Sequence, residues 1–177
     1  GASQPAVNGS DAGQGSGSGG GGSQPGGQNR GYSGGSGIVI LRYKIAEIGG
    51  TEKASGGSIS FYNSKTIHTF TSSGTFENTS GSPLTVEYVA IGGGGAGGSG
   101  GSGVGGGGGG AGGVVTNIPG MMPATTSAPV VGPGSPNKLT VTVGGGGHGR
   151  TITGDIAGLN GSNTTITGPG PWSVTAY

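Results

Sequence analysis

The stretch on which the reading of this chain turns is "EYVAIGGGGAGGSG", residues 87–100, where a short apolar run from Tyr88 to Ile91 meets glycines at 92, 94 and 97. That is the G-x-G-x-x-G spacing of a dinucleotide-binding turn, which seats a pyrophosphate on the N-terminus of a following helix and places an acidic residue about 20 positions further on for the ribose. Neither requirement is met. Gly97 leads into "GSGGSGVGGGGGGAGG", where a helix interior would be almost all glycine at about 1 kcal/mol each relative to alanine. Between Glu87 and Asp155 there is no acidic residue at all. No Gly-Lys-Ser/Thr occurs for a phosphate-binding loop either, so the chain is expected to bind no nucleotide, to carry no cofactor and to catalyse nothing.

Composition supports a non-enzymatic reading. Glycine supplies 51 of 177 residues, while 28% are apolar and 7% charged, well below the roughly 45–50% and roughly 25% of ordinary globular domains. A large conventional core is excluded. The seven Lys/Arg are scattered and the net charge is +1, so no electrostatic footprint for nucleic acid or an anionic membrane is visible. Cysteine is absent, which rules out disulfides and thiolate metal sites. His68 lies in a strand-like run and His148 in a turn-like one, and the six acidic residues do not cluster around either to make a metal site. No apolar stretch approaches membrane-spanning length. The start "GASQPAVNGSDAG" has neither Met nor the basic and apolar regions of a leader, consistent with a processed chain or a segment of a longer one.

Two textures alternate along the chain. Residues 1–37 and 92–113 are Gly/Ser tracts, and between and after them stand short runs such as "GIVILRYKIAEI", "SISFY", "LTVEYVAI", "KLTVTV" and "WSVTAY". These alternate as strands do: Leu139, Val141 and Val143 share one face against Thr140 and Thr142, and Val39, Leu41, Tyr43 and Ile45 oppose Ile40, Arg42 and Lys44. The one weak helix signal is a turn at "KIAEI". The expected class is all-β: short antiparallel strands in a small sandwich, with glycine tracts ordered as extended, polyproline-II-like segments. Glycine permits this because chains lacking Cβ approach to hydrogen-bonding distance. A strict Gly-X-Y collagen period is absent. Gly107, inside the tract, is expected to be packed so closely that valine there costs several kcal/mol.

"IHTFTSSGTF" (67–76), "VEYVAIGGGGAGG" (86–98) and "LTVTVGGGG" (139–147) resemble the glycine-rich domains of tail-fibre and other structural proteins of tailed phages and of some bacterial surface proteins. "SGGSGIVILRY" (33–43) resembles the strand that closes such a domain. The resemblance implies a structural module without catalytic residues. Its order is permuted here, the closing strand standing before the opening one. Residues 1–37 are therefore expected to complete a neighbouring unit, with 38–58 as closing strand and connector and 59–177 as the β-rich domain. In this scheme Ile38, Val39, Ile40, Leu41, Arg42 and Tyr43 form an assembly strand donated to an adjacent copy.

Function then reads as a subunit or repeat of an extracellular or virion-surface fibre, built head to tail from copies of itself. The alternative is a receptor-binding or adhesive tip. Asn8, Asn78, Asn160 and Asn163 match the N-glycosylation acceptor pattern. "TTSAPVVGPGSP" (125–136) reads as an exposed loop, Met121 and Met122 as apolar filler beside it, and Trp172 as the largest packing anchor, with Tyr177 a further candidate for stacking on a sugar.

Overall fold

A computed structural model describes residues 8–25, 30–45, 52–101, 103–121, 128–134, 137–150 and 156–177. These form an all-β structure with no helix among them. The "KIAEI" turn and Met122 fall largely or wholly outside the described residues.

Two five-stranded antiparallel sheets face one another. The first has β1 (Ile38–Lys44) at its centre, flanked by β4 (Lys65–Phe70) and β7 (Glu87–Ile91), with β3 (Ser58–Tyr62) and β8 (Val114–Thr116) at the edges. The second runs β12 (Ser173–Ala176), β11 (Thr164–Thr167), β10 (Lys138–Thr142), β5 (Gly74–Asn78) and β2 (Ala54–Ser55). A separate pair joins β6 (Leu84–Thr85) to β9 (Val130–Val131). The alternation read from sequence determines which side chains enter the core. Val39, Leu41 and Tyr43 point inward from β1, Tyr88 and Ala90 from β7, and Leu139 and Val141 from β10. Thr140 and Thr142 face out. The β3–β4 connection is a two-residue turn in which Asn63 (φ 48°) and Ser64 (φ 57°) both take left-handed conformations, the geometry that matches the natural twist of a hairpin.

The placement of Ile38–Tyr43 corrects the strand-donation expectation. β1 pairs with β4 in register Val39–Phe70 and Leu41–His68, and with β7 in register Val39–Ala90 and Leu41–Tyr88, all within the same chain. The position expected to be open is already filled by the chain's own strand. The physical reason is that segment 31–37, which leads directly into β1, is hydrogen-bonded to the chain's own 144–150 segment, so β1 enters its own sheet. Residues 8–25 and 30–37 likewise bond to the same chain rather than waiting for a neighbour.

A histidine is buried beside the core. His68 is fully buried and stacks edge-on against Phe76 with centroids 4.9 Å apart, with Tyr43 at 5.6 Å. Its Nδ1 lies 2.7 Å from the carbonyl of Gly56, while Nε2 is buried without a partner. Burial pushes its pKa below the ordinary histidine value, and the Gly56 hydrogen bond and the charge of Glu52 only partly oppose this. A lowered folded pKa contributes stability that is present above the unfolded value near 6.5 and lost as pH falls, because the unfolded chain then takes up the proton first. Melting temperature is therefore expected to drop between pH 7.5 and 5.5, and His68→Phe should flatten that slope. An unchanged slope in His68→Phe would contradict the assignment.

Candidate functional site: the glycine bundle

At one end of the sandwich, strands continue without a break into glycine rods. Rod 31–37 enters β1, β7 runs on into 92–100, 104–113 enters β8, β10 is followed by 144–150, and 156–163 enters β11. Segments 17–23 and 8–13 lie alongside.

Rod 92–100 is the axis. Its consecutive N–H groups donate in rotation to three different rods. Gly92 donates to Gly113 (2.9 Å), Gly93 to Ser162 (3.0 Å) and Gly94 to Gly35 (3.0 Å). The cycle repeats with Gly95 to Gly110 (2.8 Å), Ala96 to Leu159 (2.8 Å) and Gly97 to Tyr32 (2.9 Å), then Gly98 to Gly107 and Ser99 to Ile156. A three-residue rotation is the turn of a polyproline-II-type helix. At about 3.1 Å per residue, nine residues make a rod about 28 Å long. The G-x-G-x-x-G match thus resolves into extended chain whose N–H groups already have carbonyl partners, in place of the free donors at a helix start that a pyrophosphate needs.

The same period governs where glycine is obligatory. An added Cβ would lie 2.0 Å from the Ser18 carbonyl oxygen at Gly94, 2.1 Å from that of Gly21 at Gly97, and 2.1 Å from that of Gly95 at Gly109. Gly31 and Gly34 on the third rod and Gly158 and Gly161 on the last meet backbone in the same way. Residues with side chains, such as Ala96, Ala111 and Leu159, fall in other phases, although Gly93, in phase with Ala96, also has no room, a Cβ there lying 2.1 Å from the Gly145 carbonyl oxygen. Gly107 corrects an expectation, since a Cβ there meets nothing within 4 Å. It faces outward, and the close packing lies at Gly106, Gly109 and Gly112 instead.

At the far end of the bundle rods 17–23, 92–100 and 144–150 finish and rods 31–37, 104–113 and 156–163 begin. Arg30 stacks over the Tyr32 ring there, 5.3 Å from its centroid, and Val104 is exposed.

The remaining sequence candidates are dispersed. Asn8, Asn160 and Asn163 are exposed. Asn78 is not a glycan acceptor in this fold, because its side chain is buried and its amide donates to the carbonyls of Val131 (2.8 Å) and Ser82 (2.9 Å) while its oxygen accepts from Ser80. His148 is exposed on a rod, and among the described residues no group of three or more His, Asp or Glu could hold a metal ion. Met121 is exposed rather than filling space in the core. Trp172 packs on the core and meets Tyr88 edge-on at 5.9 Å. Tyr177 is exposed at the junction of sandwich and bundle, apart from that ring pair.

One arrangement escaped the sequence reading. Four of the scattered cations, Arg42, Lys44, Lys53 and Lys65, line a single cavity of about 320 Å³ at the sandwich end away from the bundle. Glu87 stands among them, accepting from Arg42 Nε and Lys65 Nζ, each at 2.6 Å. Partial burial opposes the charge on the Glu87 carboxyl, but the hydrogen bonds from Lys65 and Arg42, with their charges, outweigh it and hold its pKa below the usual carboxylate value. Only the register that places Arg42 opposite Glu87 and Lys44 opposite Lys65 reveals the cluster. Spacing along the chain does not.

Comparison with known proteins returns one family, described as a glycine-rich domain, matching residues 71–177. No curated protein and no solved structure matches the chain. The matched span carries the axial rod and three of its neighbours, while β1 and the rods before it come from outside that span yet complete the same sheet and bundle. With more than half its length matched, and with the glycines of that span forming the packed axis of the fold, this chain belongs to the glycine-rich domain family.

Proposed function

We propose that the chain is a non-catalytic structural module of an extracellular or virion-surface fibre, with copies of itself as partners. The observation that carries this reading is the continuity of sandwich strands into a hydrogen-bonded rod bundle. Such a bundle transmits load along its axis, since its rods are cross-linked by backbone bonds on several sides. With β1 held in its own sheet, assembly falls to outer surfaces. The free edge strand β3 presents Phe61 (59% exposed) and Tyr62 (76% exposed), and unpaired edge groups beside exposed aromatics favour addition of another chain. Purified protein is expected to form elongated particles by electron microscopy that Phe61→Lys with Tyr62→Lys disperses. Uniform monomers at high concentration would refute the fibre reading.

The exposed Val104 and the Arg30–Tyr32 pair at the far end of the bundle favour a second reading, an adhesive tip held away from the sandwich by the rods. Retained cell binding by isolated monomers, lost on combining Arg30→Ser, Tyr32→Ser and Val104→Ser, would select this reading over the first.

A further inference from the structure

Among the described residues the bundle is one rod short of closure. Around axis 92–100 the neighbours follow in the order 104–113, 17–23, 31–37, 144–150 and 156–163. Each bonds to the next: Gly109 donates to Gly20, Tyr32 to Gly21, Gly34 to Gly147, and Ser162 to Gly145. Each also bonds to the axis, through Gly95 to Gly110, Gly20 to Gly95, Gly97 to Tyr32, Gly147 to Gly94, and Ala96 to Leu159. Rods of equal width close-pack six around one, and only five positions are occupied among the described residues. Between 156–163 and 104–113 no hydrogen bond runs among the described residues, and a groove of about 360 Å³ lies there instead. Gly93 and Gly95 of the axis lie along its floor, with Gly110 on one wall, Asn160 and Asn163 on the other, and Tyr177 at one end.

A second observation shows what the sixth position takes. At the sandwich end of the groove, polypeptide backbone already occupies it. The Tyr177 carbonyl accepts from the N–H of Gly113 and lies against Gly92. β12 is antiparallel to β11, which runs away from the bundle, so β12 runs toward it and arrives at Tyr177 in line with the groove. Beyond Tyr177 the axis is less enclosed. A Cβ on Gly95 would have its nearest neighbours at 3.6 Å, against 2.0 Å at Gly94, and one on Gly110 would meet nothing within 4 Å.

We infer that this groove is a binding site for one further extended, glycine-rich polypeptide strand, supplied by a partner chain. Among the described residues the lining contains glycine, alanine, asparagine and tyrosine and no charged residue, so the strand it fits is neutral, with glycine at every third position toward the axis. A second copy is the weaker candidate, because the glycine rods among its described residues are already engaged in its own bundle.

The test uses the full chain, isotopically labelled, and the synthetic peptide VGGGGGGAGG, capped at both ends. Saturable amide shifts confined to Gly93, Gly95, Gly110 and Asn160 are expected. Gly110→Val enters the groove from its wall, its Cβ meeting nothing within 4 Å, and should abolish the shifts while leaving the melting temperature near that of the parent. Gly145→Val, whose Cβ also meets nothing within 4 Å but lies on a rod away from the groove, should leave peptide binding intact. Absence of peptide shifts overturns the inference. So does equal binding by Gly110→Val, or shifts at these residues caused by a neutral oligosaccharide but not by the peptide. Concentration-dependent dimerisation abolished by Gly110→Val, without peptide binding, would overturn it in favour of a second copy.

Discussion

Gly97→Ala is expected to destabilise the protein by about 3 kcal/mol or more, and Gly107→Ala to stabilise it slightly, although the two substitutions are chemically identical and stand in adjacent rods. At Gly97 the new methyl would lie 2.1 Å from the Gly21 carbonyl oxygen, and the neighbouring atoms are also backbone, namely Gly21 C and Gly22 N. No flexible side chain can yield, so relief requires rods to separate and break the bonds between them. Overpacking of an ordinary core costs about 1–3 kcal/mol, and this site stands at the upper end or beyond. At Gly107 the methyl enters open space, and the unfolded chain loses freedom, which favours the folded state by about 0.4–1 kcal/mol. Calorimetric melting checks both. In a chain of this length about 3 kcal/mol corresponds to roughly 6–12 °C. Equal melting temperatures for the two variants would mean that the rods are not packed at the period of three.

Removing residues 1–43 is expected to abolish cooperative folding altogether. The deletion takes out nearly all of the central strand of the first sheet, with the fully buried Val39 and Leu41 and nearly buried Tyr43, and with it rods 17–23 and 31–37 of the bundle. Losing even one such core leucine costs about 2–5 kcal/mol, a large share of the roughly 5–15 kcal/mol by which a typical protein is stable. Circular dichroism of the truncated chain should show no cooperative melt. A well-folded monomer with an open edge, of the kind expected were β1 destined for a neighbour, would contradict the pairing with β4 and β7.

The sandwich was legible in the sequence because strand alternation is local. Leu139 and Val141 against Thr140 and Thr142 announce a strand and its buried face within five residues. The glycine tracts were legible only as to kind. That they are extended and ordered follows from the absence of side chains. Which glycine faces which rod does not, since Gly106 and Gly107 are identical in sequence and differ only in what lies beside them. The permuted motif order suggested donation to a neighbour, but order along a chain does not say whether a strand reaches its own sheet or another's. Rod 31–37, held beside 144–150, brings β1 home. The cationic cavity was hidden for a related reason: Arg42, Glu87 and Lys65 are remote in sequence and meet only through the pairing of β1 with β4 and β7, to which Lys53 is added from the loop before β2.

The bundle is a part of the molecule held together almost without apolar burial, and this separates its thermodynamics from those of the sandwich on which it stands. The heat-capacity increment on unfolding comes from hydrating apolar surface, at about 12–15 cal/mol/K per residue in ordinary proteins, while exposing polar surface lowers it. Melting the glycine rods uncovers peptide groups and very little hydrocarbon, so the whole chain should fall below that average. Its free energy of unfolding consequently bends less with temperature, and cooling weakens the bundle less than it weakens the sandwich. At low temperature the sandwich, despite its conventional core, becomes the more vulnerable half.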